Sequence, residues 1–271
     1  MFTVGMATYD DYDGVFFTVQ ALRLYHPLVT EVVIIDNNPE SEHGKLLQKF
    51  INHSTPDFKI HYNKFIGKQS TSTRSEVFKH ATNDYVVVCD SHVLFTNNAF
   101  ESLKDFYLND HKPYDFIQGP LLYDNGNEVS THLDRTWGGQ FYGQWQTSNN
   151  KAKWFEIEAQ GLGCFSCKRD EWLGFNESFR GFGGEEHYIH EKYRQHGGRT
   201  ICLADFKWNH KFDRPAGVPY KNILEDRFFN YILGRIELGL DFDDVYEEFV
   251  KIVPRESLNI IIEEAITVLE K

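Results

Sequence analysis

The first hundred residues alternate between short apolar segments and segments with helical periodicity. The segments that predict strands are Phe2–Ala7, Glu31–Asp36, Phe58–Tyr62 and Tyr85–Cys89. The segments that predict helices, because their apolar residues recur every three or four positions, are Asp13–Tyr25, Ser41–Asn52, Ser70–Ala81 and Asn98–Tyr107. Apolar strands that alternate with helices are typical of a parallel sheet covered on both faces.

This regular pattern ends near residue 121. Residues 121–155 are rich in Gly, Asn, Thr, Trp and Tyr and show no clear periodicity. A long irregular segment inside a domain often forms a lid or the wall of a binding site. A strand near 161–166, a helix near 186–196 and helices from Leu224 onward complete the prediction. We therefore expect an α/β fold with a mostly parallel sheet flanked by helices, with a C-terminal helical extension over residues 221–271 packed on a domain over residues 1–220.

The charge and the apolar pattern of the 271 residues exclude several classes of protein. The formal net charge is −12, which gives little long-range attraction for nucleic-acid backbones or anionic lipid surfaces. No apolar run is long enough to span a bilayer, and the first residues lack the pattern of a signal peptide. We expect a soluble, cytoplasmic protein with no membrane partner.

Polar residues follow three of the predicted strands, at what would be one edge of a parallel sheet. Thr8 and Tyr9 follow the first strand, Asp36 ends the second, and Asp90-Ser91-His92 follows the fourth. Ligand sites in open α/β sheets lie beyond the carboxyl ends of the strands. We therefore expect these side chains to line one crevice.

Asp90 and His92 are suited to bind one divalent cation. They are two residues apart, so an extended chain points both side chains to the same side. A carboxylate oxygen with imidazole nitrogen suits Mn²⁺ and does not exclude Mg²⁺. The alternative is an ordinary turn in which Asp90 bonds to nearby backbone. The sequence has no G-x-G-x-x-G or G-x-x-x-x-G-K-[ST] motif, so a metal would have to neutralise a bound diphosphate.

Taken together, these motifs resemble those of the GT-A nucleotide-sugar glycosyltransferases over roughly residues 2–215. Ser72-Thr-Arg74 looks like the arginine-bearing helix that precedes the metal motif in families 2 and 27. The D-S-H form of Asp90-Ser91-His92 is similar to family 27, the polypeptide N-acetylgalactosaminyltransferases. Phe182-Gly-Gly-Glu-Glu186 is similar to the W-G-G-E-N or W-G-G-E-D box of family 27 and of the β-1,4-galactosyltransferases. Asn209-His-Lys-Phe212 resembles the G-H-V-F segment whose histidine completes the metal site.

The resemblance implies a set of site residues and a GT-A catalytic domain over residues 1–220. The implied metal ligands are Asp90, His92 and His210. The implied contacts to a UDP-sugar donor are Thr8, Tyr9 and Asp36 at the uracil, Ser91 in the metal motif, and Gly183 and Gly184 in the backbone beside the donor. Arg74 and Arg214 are expected at the diphosphate, with a solvated surface charge as the alternative for either. Trp137, in the irregular segment, is expected to line the cleft, with core packing as its alternative.

Glu185 and Glu186 are the implied catalytic residues, although carboxylates in the first turn of a helix are also favoured by its dipole. Glu185 is expected to contact the donor sugar. In an inverting, family-2-like enzyme, Glu186 would act as the general base on the acceptor hydroxyl. In a family-27-like enzyme, the donor diphosphate takes that proton and configuration is retained. We favour retention, because D-S-H with a later His210 is the more specific match.

The predicted function is metal-dependent transfer of a hexosyl or pentosyl group from a UDP-sugar to an acceptor hydroxyl. The acceptor is open between a glycan, a peptide, a small molecule and a hydroxymethylated base in DNA. Two alternatives belong to other classes of protein. A sugar-1-phosphate nucleotidyltransferase would carry a Gly-rich, arginine-containing loop where Thr8–Gly14 stands, and a non-catalytic sugar-recognition protein would not need the three metal ligands.

Overall fold

The computed structural model describes residues 1–67, 70–126, 128–213 and 217–270. Its strands are β1 Phe2–Thr8, β2 Val29–Asp36, β3 Lys59–Lys64, β4 Tyr85–Cys89, β5 Val93–Phe95, β6 Phe116–Gln118, β7 Leu121–Leu122, β8 Val129–Ser130, β9 His132–Leu133, β10 Trp137–Gly138, β11 Phe141–Tyr142, β12 Trp145–Gln146, β13 Trp154–Glu156, β14 Cys164–Lys168, β15 Thr200–Leu203 and β16 Trp208–His210. Its α-helices are α1 Tyr12–Tyr25, α2 Glu42–Phe50, α3 Ser75–His80, α4 Ala99–Asn109, α5 Glu185–Gln195, α6 Leu224–Glu237, α7 Asp243–Phe249 and α8 Arg255–Leu269.

An eight-stranded sheet with the order β13-β15-β6-β14-β4-β1-β2-β3 forms the centre of the fold. Strands β3, β2, β1 and β4 run parallel, as the alternating sequence pattern predicts. Strand β14 is inserted antiparallel between β4 and β6, so the sheet is mixed on that side. The predicted α/β architecture with a mostly parallel sheet is confirmed.

Both faces of the central strands are buried, which explains the unbroken apolar runs Val32–Ile35 of β2 and Val86–Cys89 of β4. On β2, Val32 packs into the core cluster beneath α1 and α4, whereas Val33 packs into the cluster beneath α3, α5 and α6. Val87 and Val88 of β4 divide between the same two clusters. Since side chains alternate along a strand, two covered faces require an unbroken apolar run.

A second, smaller sheet brings a distant segment to the end of β4. Strand β16 pairs antiparallel with β5 and parallel with β7, and its register sets His210 opposite Val93. The backbone N–H of Lys211 also donates to the carbonyl of His92. Strands of two or three residues carry too little periodicity to be predicted, but this pairing carries His210 to His92.

The predicted helix over 70–81 is shorter in the structure. A 3₁₀ turn occupies Thr71–Arg74, and α3 begins only at Ser75. Serine and threonine side chains compete for nearby backbone groups and weaken the first turn of a helix. The hydroxyl of Thr73 does so here, donating to the carbonyl of Ser70 at 2.8 Å. The tight turn places Arg74 beside the end of β4.

The C-terminal helices pack on the sheet through α6, in which the whole stretch Arg227–Gly234 is buried. Helix α6 contacts both α5 and α8. Residues 121–155 contain short paired strands, and Trp137 in this segment packs against Tyr231 of α6 and Phe249 of α7. Among the described residues, none of the helices combines the length and apolar character that crossing a bilayer needs.

Candidate active site

A cavity of about 580 Å³ opens at the carboxyl ends of the parallel strands. Its wall contains strand-end residues, residues of the turn before α3, and residues of two later segments around 180 and 220. The lining includes Thr8, Tyr9, Asp11, Asn37, Thr71, Arg74, Asp90, Ser91, His92, Arg180, Phe182, Tyr220, Lys221 and Asp226. The crevice predicted from the strand ends therefore exists, and residues from beyond position 180 close its other side.

Asp90 and His92 line this cavity, and His210 lies against both of them. His210 Nε2 lies 3.2 Å from His92 Nε2 and 3.3 Å from Asp90 Oδ2. The three ligand atoms all lie within 4.8 Å of one another. Two ligand atoms at right angles around one cation, with bonds near 2.1 Å, lie about 3 Å apart. One carboxylate and two imidazoles therefore fit a divalent ion of the Mn²⁺ type in both chemistry and spacing.

Asp11, which the sequence analysis did not single out, holds His92 in place. Its Oδ2 lies 2.7 Å from His92 Nδ1 and accepts from the hydroxyl of Ser91 at 2.6 Å. Its Oδ1 accepts from the backbone N–H of Gly14 and so caps α1. Burial alone would raise the pKa of Asp11, but the bonds from His92 and Ser91 outweigh it and lower that pKa. A carboxylate on Nδ1 favours the tautomer in which Nε2 carries the lone pair that a metal would bind. An N-cap aspartate ahead of α1 was the only signal in the sequence.

Arg74 pairs with the carboxylate of Asp90 at the same place. Arg74 Nη2 donates to Asp90 Oδ1 at 2.8 Å, while Oδ2 faces His210. Burial alone would raise the pKa of Asp90, but the guanidinium of Arg74 and the bond to His210 outweigh burial and bring that pKa below its usual value. The carboxylate is therefore ionised. The site thus presents a charged, oriented oxygen to the cavity.

At the end of β1, Thr8 and Tyr9 line the wall of the cavity but Asp36 does not. The hydroxyl oxygen of Thr8 is buried without a hydrogen-bond partner, which makes it available to a ligand. Asp36 is 1% exposed, accepts from the hydroxyl of Tyr62 at 2.6 Å and from the N–H of Asn38 at 2.9 Å, and has a pKa that burial raises. Asp36 thus caps the turn that follows β2, and a role for Asp36 at the nucleobase stays a prediction.

The predicted acidic segment forms the loop that leads into α5. Gly183 and Gly184 adopt φ of +101° and +93°, a conformation that strongly favours glycine. The space that their missing side chains leave is taken by residues of α6, and a position of their backbone beside the donor stays a prediction. The carboxylate that follows, Glu185, is 1% exposed with Oε2 lacking a partner.

The electrostatics of the two acids follow from this burial. Burial and the neighbouring carboxylate of Glu186 raise the pKa of Glu185 to about 8, although the charge of Arg74 opposes the shift. Burial also raises the pKa of Glu186, against the opposing charges of Arg74 and Arg227. Perturbed carboxylates of this kind cluster at catalytic sites. Both side chains lie close enough to Arg74 for its charge to lower their pKa, although neither is among the residues that line the cavity.

Two further predicted residues lie elsewhere. Trp137 is absent from the cavity wall: its indole N–H donates to Asp244 of α7 at 3.1 Å, and its ring packs on Tyr231. The apolar surface of α6 and α7 attracts this ring, so the core-packing alternative describes its environment. Arg214 lies outside the residues that the structure describes.

The sequence model of glycosyl transferase family 2 matches residues 3–170, more than half of the chain. The chain belongs to glycosyl transferase family 2. The matched region contains Asp90 and His92, while His210 and the acidic loop lie beyond it. A search of curated protein sequences finds no match to this chain.

Solved structures with the same fold include two complexes with a nucleotide sugar and one with a nucleotide and a sugar. The chain is similar to GalNAc-T7 with UDP, GalNAc and Mn²⁺, with a TM-score of 0.71 and 13% identity over 93% of this chain and 54% of that one. It is similar to S. aureus TarS 1-349 with UDP-GlcNAc, with a TM-score of 0.61 and 15% identity over 98% of this chain and 71% of that one. The mannosyltransferase PcManGT from Pyrobaculum calidifontis, with GDP-Man and Mn²⁺, has a TM-score of 0.58 and 13% identity over 98% of this chain and 74% of that one. The chain thus spans about half the length of GalNAc-T7, and at these identities the likeness establishes the GT-A fold.

Proposed function

We propose that this chain transfers a sugar from a UDP-sugar to an acceptor hydroxyl with the help of Mn²⁺ or Mg²⁺. The observation that carries the proposal is the convergence of Asp90, His92 and His210 on a cavity at the carboxyl ends of the parallel strands. Family membership supplies the reaction class. Complexes of GalNAc-T7 and PcManGT with nucleotide, sugar and Mn²⁺ support a metal-bridged nucleotide sugar as the donor.

Asp90, His92 and His210 would hold the cation, with Asp11 keeping His92 in the binding tautomer. A bound divalent ion neutralises charge on a leaving diphosphate. Arg74 keeps Asp90 ionised and lines the same wall, so it is placed to donate a charge-assisted hydrogen bond to a phosphate oxygen. We assign Ser91 a supporting role, because its hydroxyl donates to Asp11. We keep Arg214 as a proposed second donor to the diphosphate.

The nucleobase would lie at the Thr8 and Tyr9 end of the cavity. The unpartnered hydroxyl of Thr8 offers a polar contact there. The ring of Tyr9 offers an aromatic surface, and its centroid lies 6.4 Å from that of Tyr220 in an edge arrangement. We propose uracil as the base because Asp36, immediately behind this wall, can accept from an imide N–H if its turn opens. If that buried bond forms, Asp36→Asn should weaken UDP binding by about 1–3 kcal/mol in a UDP competition assay, and a preference for GDP would contradict uracil.

Glu185 and Glu186 are proposed to serve the donor sugar and the acceptor side. Glu185, with an unpartnered oxygen beside Arg74, is placed to accept from a sugar hydroxyl. We favour retention of anomeric configuration, with the donor diphosphate taking the acceptor proton. The support is that Asp90-Ser91-His92 with the later His210 is the more specific of the two matches. The inverting alternative, with Glu186 as general base, has its own support in the raised pKa of that residue.

The domain boundary near residue 220 is also a proposal. Residues 1–220 would form the GT-A catalytic domain and residues 221–271 a helical extension. Lys221, Ile223 and Asp226 line the donor cavity, which supports an extension packed against the site. The acceptor, whether glycan, peptide, small molecule or hydroxymethylated DNA base, stays open.

The test is a screen of UDP-sugars and GDP-sugars, measuring release of the nucleoside diphosphate with excess Mn²⁺, followed by acceptor screening with the best donor. We expect metal-dependent release from at least one UDP-sugar. Release of pyrophosphate from UTP and a sugar 1-phosphate would instead indicate a nucleotidyltransferase. Sugar binding without turnover of any donor would indicate a recognition protein.

A further inference from the structure

One buried amide of α6, Asn230, holds the loop that precedes the two acids. Its Oδ1 accepts from the backbone N–H of Arg180 at 2.7 Å. Its Nδ2 donates to the carbonyl of Arg180 at 2.7 Å and to the carbonyl of Gly183 at 2.8 Å. Asn230 has no exposed surface, so these three bonds form away from solvent. A single side chain therefore satisfies three backbone groups within four residues of the loop.

The two glycines let the loop lie directly against the same helix. A Cβ on Gly184 would lie 3.0 Å from the Cβ of Asn230 and 3.2 Å from the backbone nitrogen of Tyr231. A Cβ on Gly183 would lie 2.7 Å from Nε of Arg227. Close contact and amide pairing together fix the distance between loop and helix, since packed interiors tolerate little displacement.

The position of this loop decides where Glu185 stands. Glu185 follows Gly184 directly and is buried near Arg74, which in turn donates to the metal-site carboxylate of Asp90. A second contact ties the same loop to the C-terminal helices, because Arg180 pairs with Glu264 of α8 and its guanidinium stacks over Phe229 at 3.5 Å. The connection therefore runs from α6 through the loop to the donor cavity.

We propose that Asn230 is a positioning residue for glycosyl transfer, which makes the C-terminal helices part of the active site. Asn230 fixes the loop so that Glu185 meets the donor beside Arg74. This inference rests on the proposed function. It concerns a helix beyond residues 3–170, the region that the family 2 model matches.

The test compares Asn230→Ala with Asn176→Ala. Asn176 also bonds to α6, because its Nδ2 donates to Glu237 at 2.7 Å. Among the described hydrogen bonds, none joins the Asn176 side chain to the loop at 180–184. Asn176→Ala is therefore a control that removes one amide side chain bonded to α6 without touching the loop. Misplacement of a reacting group by about 1 Å can cost 10²-fold in rate. We expect Asn230→Ala to lower kcat for donor turnover by about 10–100-fold, with Mn²⁺ affinity within about twofold of wild type, because the ligands lie on other elements. Asn176→Ala should stay within about threefold in kcat.

Hydrogen exchange separates this inference from the proposed function. The backbone amide of Arg180 should exchange at least about tenfold faster in Asn230→Ala and should be unchanged in Asn176→Ala. A folded Asn230→Ala protein with the kcat of the control would overturn the positioning role. If the wild type turns over no nucleotide sugar, the proposed function fails. In that case an Arg180 amide that exchanges at the same rate in Asn230→Ala as in the wild type would overturn this inference as well. If Asn230→Ala does not fold, Gly184→Ala disturbs the same contact from the loop side and must give the same losses.

Discussion

The two ends of the active site are built in different ways. At the metal end, Asp90 and His92 lie two residues apart at the end of one strand, and only His210 comes from a distant segment. At the acidic end, Glu185 depends on two glycines with positive φ and on an amide of α6 about 45 residues later. The metal end is oriented by side chains of the site that bond to one another, and the acidic end is oriented by the packing and hydrogen bonds of its backbone against α6. Chemistry at the first end can therefore be removed with little loss of structure, whereas chemistry and stability are linked at the second.

The largest expected effect is at the metal end. Asp90→Asn removes the charge that a cation needs but keeps an oxygen that can accept from Arg74, so the fold should survive. We expect donor turnover to fall on the order of 10³-fold, the scale for losing a group that stabilises developing charge. Turnover and thermal unfolding, measured side by side, check this. If Asp90→Asn keeps its turnover, or if it unfolds, the claim that chemistry at the metal end can be removed without loss of structure is wrong.

At the acidic end, the expected effect is on stability and its pH dependence. The pKa of Glu185 is raised from 4.5 to about 8, so between these values the folded state holds a proton that the unfolded state releases. The free energy of unfolding should therefore fall as pH rises from about 4.5 to about 8, by an amount on the order of a few kcal/mol.

Glu185→Gln should remove this part of the pH dependence, because glutamine mimics the protonated acid at every pH. Denaturant unfolding at several pH values measures it, with Glu256→Gln, an exposed acid of α8, as the control. A Glu185→Gln protein whose stability still falls over the same interval would show that the buried acid is not the source.

A smaller effect is expected from Asp11, which orients a metal ligand without binding the metal. Asp11→Asn can still cap α1 but no longer offers a carboxylate to His92 Nδ1. Loss of such a partner typically weakens metal affinity 10–100-fold. We expect that loss in a Mn²⁺ titration followed by electron paramagnetic resonance. Unchanged affinity would mean that the position of His92 is set by backbone alone.

Glu186→Gln should have the smallest effect if configuration is retained, because no protein base is then required. We expect less than about a tenfold loss of turnover, against about 10²–10⁴-fold for the loss of a general base. Proton NMR of the first product gives the anomeric configuration directly. An inverted centre together with a large loss in Glu186→Gln would assign Glu186 as the catalytic base.

The grouping of Asp90 with His92 could be predicted from the sequence because its signals are local. A fully apolar strand followed by D-S-H places two ligands without any knowledge of the tertiary structure, and the resemblance at Asn209-His-Lys-Phe212 pointed to the third. Residues fixed by long-range packing were harder to predict. Trp137 joins the α6–α7 surface, the glycines at 183 and 184 face α6, and Asp36 lies behind the wall. Asp11 was missed because one carboxylate both caps a helix and reaches His92, and a contact 81 residues apart leaves no pattern in the sequence.

The most direct test of the central claim joins metal binding to turnover in one titration. Protein stripped by a chelator is titrated with Mn²⁺ while bound metal and the release of UDP from the best UDP-sugar are followed together, for wild type and His210→Ala. The account predicts one Mn²⁺ per chain in the wild type, turnover that rises in parallel with occupancy, and loss of both in His210→Ala. Full turnover in excess chelator, or turnover in His210→Ala equal to that of the wild type, would contradict it.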